Sequence, residues 1–171
     1  MSKSLIIAEK PSVATDIAKA LGGFNRHSDY FESDKYVLSS AIGHLLELAV
    51  PPEHEVKRGK WSFAHLPVVP PHFDLRPLEK NEDRLKLLVR LIKRKDVTSI
   101  INACDAGREG ELIFRYILQH SRARKPIHRL WLQSMTPAAI RDGFNHLKNG
   151  EELQPLADAA ICRSESDWLV G

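Results

Sequence analysis

Cysteine is scarce in this sequence, and long hydrophobic runs are missing. The two cysteines, Cys104 and Cys162, form no CxxC motif and have no histidine at metal-ligand spacing. This argues against a disulfide scaffold or a structural zinc site and favours reduced thiols. The most apolar longer stretch, residues 41–50, contains His44 and Glu47 and is too short to cross a bilayer. Because the first residues lead into a strand-like run and not a signal peptide, we expect a cytoplasmic protein without membrane association.

Internal repeats and low-complexity tracts are also missing, and charge of one sign does not dominate. The hydrophobic share of 43% and the charged share of 27% lie close to globular averages, so the composition indicates neither a disordered nor a fibrous protein. The formal net charge of +3 permits a nucleic-acid partner but does not indicate one. The length of 171 residues suits one domain, with room for the first elements of a second.

Short apolar runs alternate with helical patterns along the chain. The runs at residues 4–8, 97–103 and 127–132 are typical of strands buried on both faces of a sheet. Helical patterns begin at Pro11, which precedes a Gly22-Gly23 stop, around Leu85, at Glu109, and at Thr136-Pro137, which precedes Gly150. The alternation predicts an α/β protein with a compact, parallel, Rossmann-like sheet flanked by helices.

Three further segments complete the predicted organisation. Residues 33–35 separate two aromatic runs and predict a small hairpin. The proline-rich residues 49–77 predict an ordered surface excursion, anchored by the apolar side chains of Trp61, Phe63, Leu66 and Val68. A wide helical stripe begins at Leu153. We expect one domain over residues 1–152 and the truncated start of a helical DNA-binding domain over 153–171.

The chemistry concentrates where the second predicted strand ends. Residues 105–111 read Asp-Ala-Gly-Arg-Glu-Gly-Glu, at the carboxyl edge where open α/β sheets bind ligands. Three carboxylates so close together repel each other unless a cation intervenes, and Mg²⁺ suits oxygen ligands. Alternatively, Glu109 and Glu111 only favour the positive end of a helix, which suits Glu111 well but leaves Asp105 unexplained.

Glu9 and Lys10 end the first predicted strand in the same way. If the two strands are neighbours, Glu9 lies on the same edge as Asp105. A carboxylate, a cation and an acidic metal site together suit phosphoryl transfer. Taken alone, Glu9 and Lys10 also fit an ordinary surface ion pair, and the position of both acidic sites at strand ends favours the functional interpretation.

Four motifs occur here in the order of one enzyme family. They are Glu9-Lys10-Pro11-Ser12, Gly43-His44-Leu45, the Asp105–Glu111 stretch and Asp167-Trp168-Leu169-Val170-Gly171. Together they resemble the start of bacterial type IA DNA topoisomerases of the topoisomerase III group, and they span nearly the whole chain. The resemblance implies a Toprim fold, shared with bacterial primases and some nucleases.

The resemblance also implies roles for single residues. Glu9 matches the catalytic glutamate that handles protons at the scissile phosphate, and Lys10 matches the lysine that contacts that phosphate. Asp105 and Glu109 match the acidic set that binds Mg²⁺. The chain departs from the broad pattern at Gly107, where a second aspartate is usual, so Glu111 is a candidate substitute ligand.

DNA is the partner that the resemblance implies, with contacts predicted at His44, Arg108 and Arg163. Each has a plainer alternative: a structural histidine, a neutraliser of neighbouring acids, and an intrahelical pair with Asp167. Family members cut one strand with a tyrosine, pass another strand and reseal the gap without ATP. None of Tyr30, Tyr36 and Tyr116 matches that tyrosine, so we expect the isolated chain not to relax DNA.

Two other functions remain open from the sequence. The chain could be a free-standing Toprim nuclease or nucleotidyl transferase, or a single-stranded DNA-binding module whose metal site is degenerate at Gly107. The tryptophans Trp61, Trp131 and Trp168 fit base stacking or simple burial. A basic cluster consists of Arg122, Arg124, Lys125 and Arg129. It could follow the phosphate backbone of a nucleic acid or form an ordinary solvated face.

Overall fold

A seven-stranded sheet forms the centre of the computed structural model, which describes residues 2–52 and 68–170. The strands are β1 (Lys3–Ala8), β2 (Asn25–Arg26), β3 (Phe31–Glu32), β4 (Tyr36–Ser40), β5 (Leu46–Ala49), β6 (Asp74–Pro77), β7 (Val97–Ala103), β8 (Ile127–Arg129) and β9 (Lys148–Asn149). The helices are α1 (Pro11–Leu21), α2 (Glu82–Ile92), α3 (Arg108–Ser121), α4 (Pro137–Asn145) and α5 (Gln154–Val170). Strands β5 and β6 form a separate antiparallel pair.

The strand order is β2-β3-β4-β1-β7-β8-β9, and the central four strands, β4, β1, β7 and β8, are parallel. Alternate side chains of β1 enter two cores: Leu5 and Ile7 join the side covered by α2 and α3, and Ile6 and Ala8 join the side covered by α1 and α4. Burial on both faces explains why this strand is apolar throughout. The predicted α/β architecture is confirmed.

Helix boundaries follow the sequence signals closely. Pro11 opens α1, and Gly22 ends it with φ +70°. The side chain of Thr136 accepts a hydrogen bond from the Ala139 N–H and caps α4. Strands β3 and β4 form the predicted hairpin.

Three features depart from the sequence predictions. β8 ends at Arg129 and does not continue to residue 132, and α4 ends at Asn145, which leaves room for the short edge strand β9. The β5–β6 pair was not predicted either. Strands of two to four residues give too little periodicity for a pattern to show. Val68 is half-buried, and the other three predicted anchors lie outside the described residues: Trp61, Phe63 and Leu66.

Helix α5 packs on α3 through the buried residues Ala157 and Ala160. The Ser164 hydroxyl lies 3.3 Å from the Tyr116 hydroxyl oxygen across the same contact. The rings of Trp168 and Phe73 pack in a T-shaped arrangement with their centroids 5.2 Å apart. The boundary at residue 152 stays a prediction. In the described ranges 2–52 and 68–170, no helix combines the length and apolar character that a bilayer crossing requires.

An ion-pair network stabilises the end of the sheet opposite the strand carboxyl ends. Arg94 and Lys3 donate to Glu32 at 2.6 and 2.7 Å, and Arg94 also donates to Asp96. The hydrogen bond from Arg94, reinforced by Lys3, lowers the pKa of Glu32 from 4.5 to about 2. A lowered pKa stabilises the fold above pH 4.5, and this contribution is lost as the pH falls through about 2.

Replacing Glu32 with glutamine is therefore expected to reduce the free energy of unfolding by roughly 1–2 kcal/mol at pH 7. The difference from wild type should shrink as the pH falls from 4.5 towards 2. Urea unfolding at pH 7 and pH 3 measures both effects. Glu47→Gln is the matched control, because its arginine partner, Arg76, and the carboxylate itself are exposed. A pH-independent loss in Glu32→Gln contradicts the electrostatic account.

Candidate functional site at the carboxyl rim of the sheet

The carboxyl ends of β1 and β7 form the rim of the candidate site. The two strands are parallel neighbours, with Ala8 opposite Ala103. The next residues meet directly: the Asp105 N–H donates to Glu9 Oε2 at 3.2 Å. Glu9 is only 8% exposed, although its side chain reaches this rim. The two strands are neighbours, which is the condition under which Glu9 was predicted to share an edge with Asp105.

A third segment reaches the rim from the end of β4. The Ala41 N–H donates to the Ala8 carbonyl at 2.8 Å, and the Gly43 N–H donates to the Glu9 carbonyl at 3.2 Å. Gly43 has φ +83°, a conformation that favours glycine. These backbone bonds place the loop before His44 beside the ends of the central strands.

Lys10 supplies positive charge to the rim. Its Nζ lies 3.9 Å from Asp105 Oδ2, and both side chains are 57% exposed. Lys10 is also the residue before α1, so the positive end of that helix points to the same edge. The geometry leaves the ammonium group accessible to an anion.

His44 and Glu109 form a second exposed pair. The His44 Nε2 atom is in direct contact with Glu109 Oε1. The Asn81 side-chain amide donates to the His44 carbonyl at 2.8 Å, which fixes the backbone of this loop to the start of α2. His44 thus joins the side chain of a predicted metal ligand to the rim.

The three predicted DNA contacts, His44, Arg108 and Arg163, line one cavity of about 400 Å³. Glu109 and Asp167 line the same cavity. Arg163 Nε donates to both carboxylate oxygens of Asp167, at 3.1 and 2.9 Å, so the expected intrahelical pair is present. The cavity lies between α3 and α5, and two guanidinium groups in it suit a phosphate-bearing ligand. The DNA contacts themselves stay predictions.

Glu111 does not face the rim. Its carboxylate is fully buried, with Oε1 at 2.7 Å from Arg129 Nε and accepting a hydrogen bond from the Asn102 amide at 3.0 Å. Arg115 Nε lies 3.5 Å from the other carboxylate oxygen. Glu111 was predicted as a substitute metal ligand, but its carboxylate lies inside the protein, where Arg129 and Arg115 neutralise it. Sequence reasoning did not find this network, although an arginine within the apolar run 127–132 was its one signal.

The basic cluster is not one exposed phosphate track. Arg129 is 1% exposed, and burial lowers its pKa while the Glu111 carboxylate opposes that shift. Burial lowers the pKa of Lys125. The Lys125 ammonium group donates to the backbone carbonyls of Ile92, Arg94 and Val97. Arg122 ends α3 in the left-handed conformation with φ +55°. Two of the four cations therefore serve as internal hydrogen-bond donors.

The two glycines of the motif have different structural reasons. Gly107 has φ +156° and ψ 177°, a backbone region essentially confined to glycine. Gly110 sits against Asp105: a Cβ there would lie 3.0 Å from the Asp105 N and C atoms and would overlap the Asp105 carbonyl oxygen. The first turn of α3 can approach the end of β7 only because residue 110 has no side chain.

The exposed carboxylates of Asp105 and Glu109 suit a hard cation that takes few of its ligands from the protein. In the part of the chain that the structure describes, no group of three or more His, Cys, Asp or Glu side chains is arranged to hold a metal. Mg²⁺ normally takes one or two carboxylates and completes its shell with water and substrate phosphate oxygens. Asp105 and Glu109 offer two exposed carboxylates of that chemistry, although they line different cavities.

Cys104 and Tyr116 are unsuited to nucleophilic chemistry. Cys104 is buried in the core, and this burial raises the pKa of its thiol. Burial also raises the pKa of Tyr116, whose ring lies in the core shared by α3 and α5. Trp131 and Trp168 are both half-buried, and the Arg129 guanidinium lies 5.1 Å from the Trp131 ring centroid.

Comparison with known proteins adds a family to this geometry. The model of the Toprim domain family matches residues 4–135. The chain is 45% identical over 171 residues to DNA topoisomerase 3 of Bacillus cereus (strain ATCC 10987 / NRS 248) and 45% identical over 169 residues to that of Staphylococcus haemolyticus (strain JCSC1435). These alignments cover 100% and 99% of this chain, which spans 24% of the length of either relative.

A solved structure supports the same architecture. Full-length topoisomerase I from Thermotoga maritima superimposes with a TM-score of 0.54 at 21% sequence identity. The match covers 85% of this chain and 21% of that chain. The likeness establishes a shared fold.

Proposed function

The chain belongs to the Toprim domain family, and from this premise we propose that it is the amino-terminal Toprim part of a type IA DNA topoisomerase of the topoisomerase III kind. The observation that carries the proposal is the meeting of Glu9 with Asp105 at one rim, with Lys10 beside them. Two carboxylates and a cation at the end of a parallel sheet suit chemistry at a phosphodiester.

The full-length enzyme would cut a single DNA strand, pass another strand through the gap and reseal it. The attacking tyrosine lies outside this chain and forms a 5′-phosphotyrosine link. Because that link conserves the energy of the phosphodiester bond, no ATP is required. This chain would supply the groups that act on the phosphate and on protons.

Glu9 is the proposed proton-handling group and Lys10 the proposed phosphate contact. Asp105 and Glu109 would hold Mg²⁺, which when bound supplies positive charge against the phosphate oxygens. Lys10 lies close enough to Asp105 to act on the same phosphate. His44, Arg108 and Arg163 line one cavity and would bind the DNA strand that leads to this rim.

Removal of Mg²⁺ by a chelator is expected to stop relaxation of negatively supercoiled plasmid by the full-length enzyme. Asp105→Asn should slow relaxation roughly 10–100-fold at a fixed Mg²⁺ concentration. Its free energy of unfolding should change by less than about 0.5 kcal/mol, because the side chain is largely exposed. Agarose-gel relaxation assays and urea unfolding measure the two effects. Asp16→Ala, an exposed acidic position on α1, is the control; equal activity of all three proteins contradicts the proposed metal site.

The isolated chain separates this proposal from the two other candidate functions. If the chain is a free-standing nuclease or nucleotidyl transferase, the isolated chain should nick plasmid DNA or transfer nucleotides in the presence of Mg²⁺. A degenerate binding module would hold single-stranded DNA equally well with and without the metal. The topoisomerase proposal expects no nicking by the chain alone and a response of the Asp105–Glu109 region to metal.

A further inference from the structure

Arg129 is a buried cation that directs most of its donors at backbone carbonyls. Its Nη1 donates to the Cys104 carbonyl at 2.6 Å and to the Asn102 and Leu130 carbonyls at 3.1 Å. Its Nη2 donates to the Asp105 carbonyl at 2.8 Å. These oxygens include the last carbonyls before the rim, where β7 ends. A single guanidinium therefore spans the exit of the chain from the central strand.

Glu111 and Asn102 set the orientation of this guanidinium. Glu111 Oε1 lies 2.7 Å from Arg129 Nε and also accepts from the Asn102 amide, whose own oxygen accepts from the Cys104 N–H at 3.0 Å. The Arg129 guanidinium carbon lies over the Trp131 ring, 5.1 Å from its centroid. The network joins β7, β8 and α3 beneath the rim. The Arg129 and Glu111 charges lie next to each other, as buried charges require, although Glu111 Oε2, Arg115 Nε and Arg129 Nε form no hydrogen bond.

The Asp105 carbonyl is held from two sides. Arg129 donates to it from the interior, and Gly110 packs against it from the first turn of α3. Its N–H is meanwhile occupied by Glu9. The backbone of Asp105 is thus fixed at both polar groups, although its side chain is largely exposed.

We infer that Arg129 is a positioning residue for the proposed metal site. By fixing the Asp105 carbonyl and, through Glu111, the first turn of α3, it holds the Asp105 and Glu109 carboxylates towards one rim. The inference rests on the proposed function, because it assigns Arg129 a role towards the cation that Asp105 and Glu109 would share. Supporting groups behind metal ligands typically change metal affinity 10–100-fold when they are altered.

Arg115 is a matched control within the same network. It also approaches Glu111, at 3.5 Å, but its donated hydrogen bond goes to the Gly150 carbonyl at 2.9 Å, away from the rim. Changing Arg115 therefore perturbs the same buried carboxylate without releasing Asp105. A purely stabilising role for the two arginines predicts similar effects of both changes on metal binding, whereas positioning predicts an effect of Arg129 alone.

The experiment titrates Mn²⁺ into the 171-residue chain and follows paramagnetic broadening of the amide signals of residues 105–110. Lysine at position 129 keeps the charge but cannot reproduce the forked set of donors. Arg129→Lys is expected to weaken Mn²⁺ binding at least about tenfold, and to speed hydrogen exchange of the same amides. Arg115→Lys is expected to leave Mn²⁺ affinity within about twofold of wild type, even where urea unfolding shows an equal loss of stability.

Equal Mn²⁺ affinity in wild type and Arg129→Lys overturns the inference while leaving the proposed metal site standing. Absence of broadening in the wild-type chain overturns both. If Arg129→Lys does not fold, the double variant Arg129→Gln/Glu111→Gln removes both buried charges together, which is better tolerated than leaving one unpaired. That variant also lacks the forked donors and must bind Mn²⁺ more weakly than Arg115→Lys. Unchanged affinity there overturns the inference too.

Discussion

Replacing Glu9 with glutamine is expected to slow DNA relaxation by the full-length enzyme about 10²–10⁴-fold, the usual range for loss of a general acid or base. The glutamine oxygen can still accept the hydrogen bond from the Asp105 N–H, so the rim keeps its shape. What disappears is the ability of residue 9 to give and take a proton at the phosphate. Steady-state relaxation rates at saturating Mg²⁺ measure the effect.

Glu9→Ala separates chemistry from structure at the same position. It leaves the Asp105 N–H without its partner and removes the side chain of a residue that is only 8% exposed. We expect the alanine variant to lose activity as glutamine does and, in addition, about 1–3 kcal/mol of unfolding free energy. Relaxation by Glu9→Gln within about threefold of wild type would exclude the proton-handling role.

Replacing Gly110 with alanine is expected to damage both stability and activity. The added Cβ would overlap the Asp105 carbonyl oxygen, a backbone atom that Arg129 already holds from the other side. Either α3 or the end of β7 must shift, at a cost of roughly 1–3 kcal/mol. A displacement of about 1 Å at the rim lowers activity about 10²-fold. Urea unfolding and plasmid relaxation test the two effects.

Gly143→Ala is the matched control for this change. A Cβ at residue 143 would meet the methyl ends of Leu130 and Leu132, at 2.8 and 2.7 Å, and these flexible side chains can move. Both glycines lie within helices, so the gain in helix propensity, about 1 kcal/mol, is the same. Gly143→Ala should retain relaxation activity; an equal loss in both variants contradicts the proposed rim geometry.

The alternation of strands and helices was readable because its signals are local. A buried parallel strand is apolar on both faces, as in β1 and β7, and Pro11, Gly22 and Thr136 mark helix ends by their own backbone preferences. The sequence did not predict that β1 and β7 are neighbours; it predicted only that Glu9 and Asp105 share an edge if they are. Strand order depends on how helices cover the sheet, which no short window of sequence contains.

Within the candidate site, the sequence by itself determined the chemical inventory: Glu9, Lys10, Asp105 and Glu109 follow strands whose ends share one edge. Only the tertiary structure decided the fate of Glu111, two residues beyond Glu109. The rotation of α3 about its axis turns that carboxylate inward, towards Arg129. This arginine lies 18 positions later in the sequence, at the end of β8, the strand that pairs with β7. A residue's type and its distance along the chain from a strand end are local properties, whereas which face of a helix meets the core is set by packing across the whole sheet.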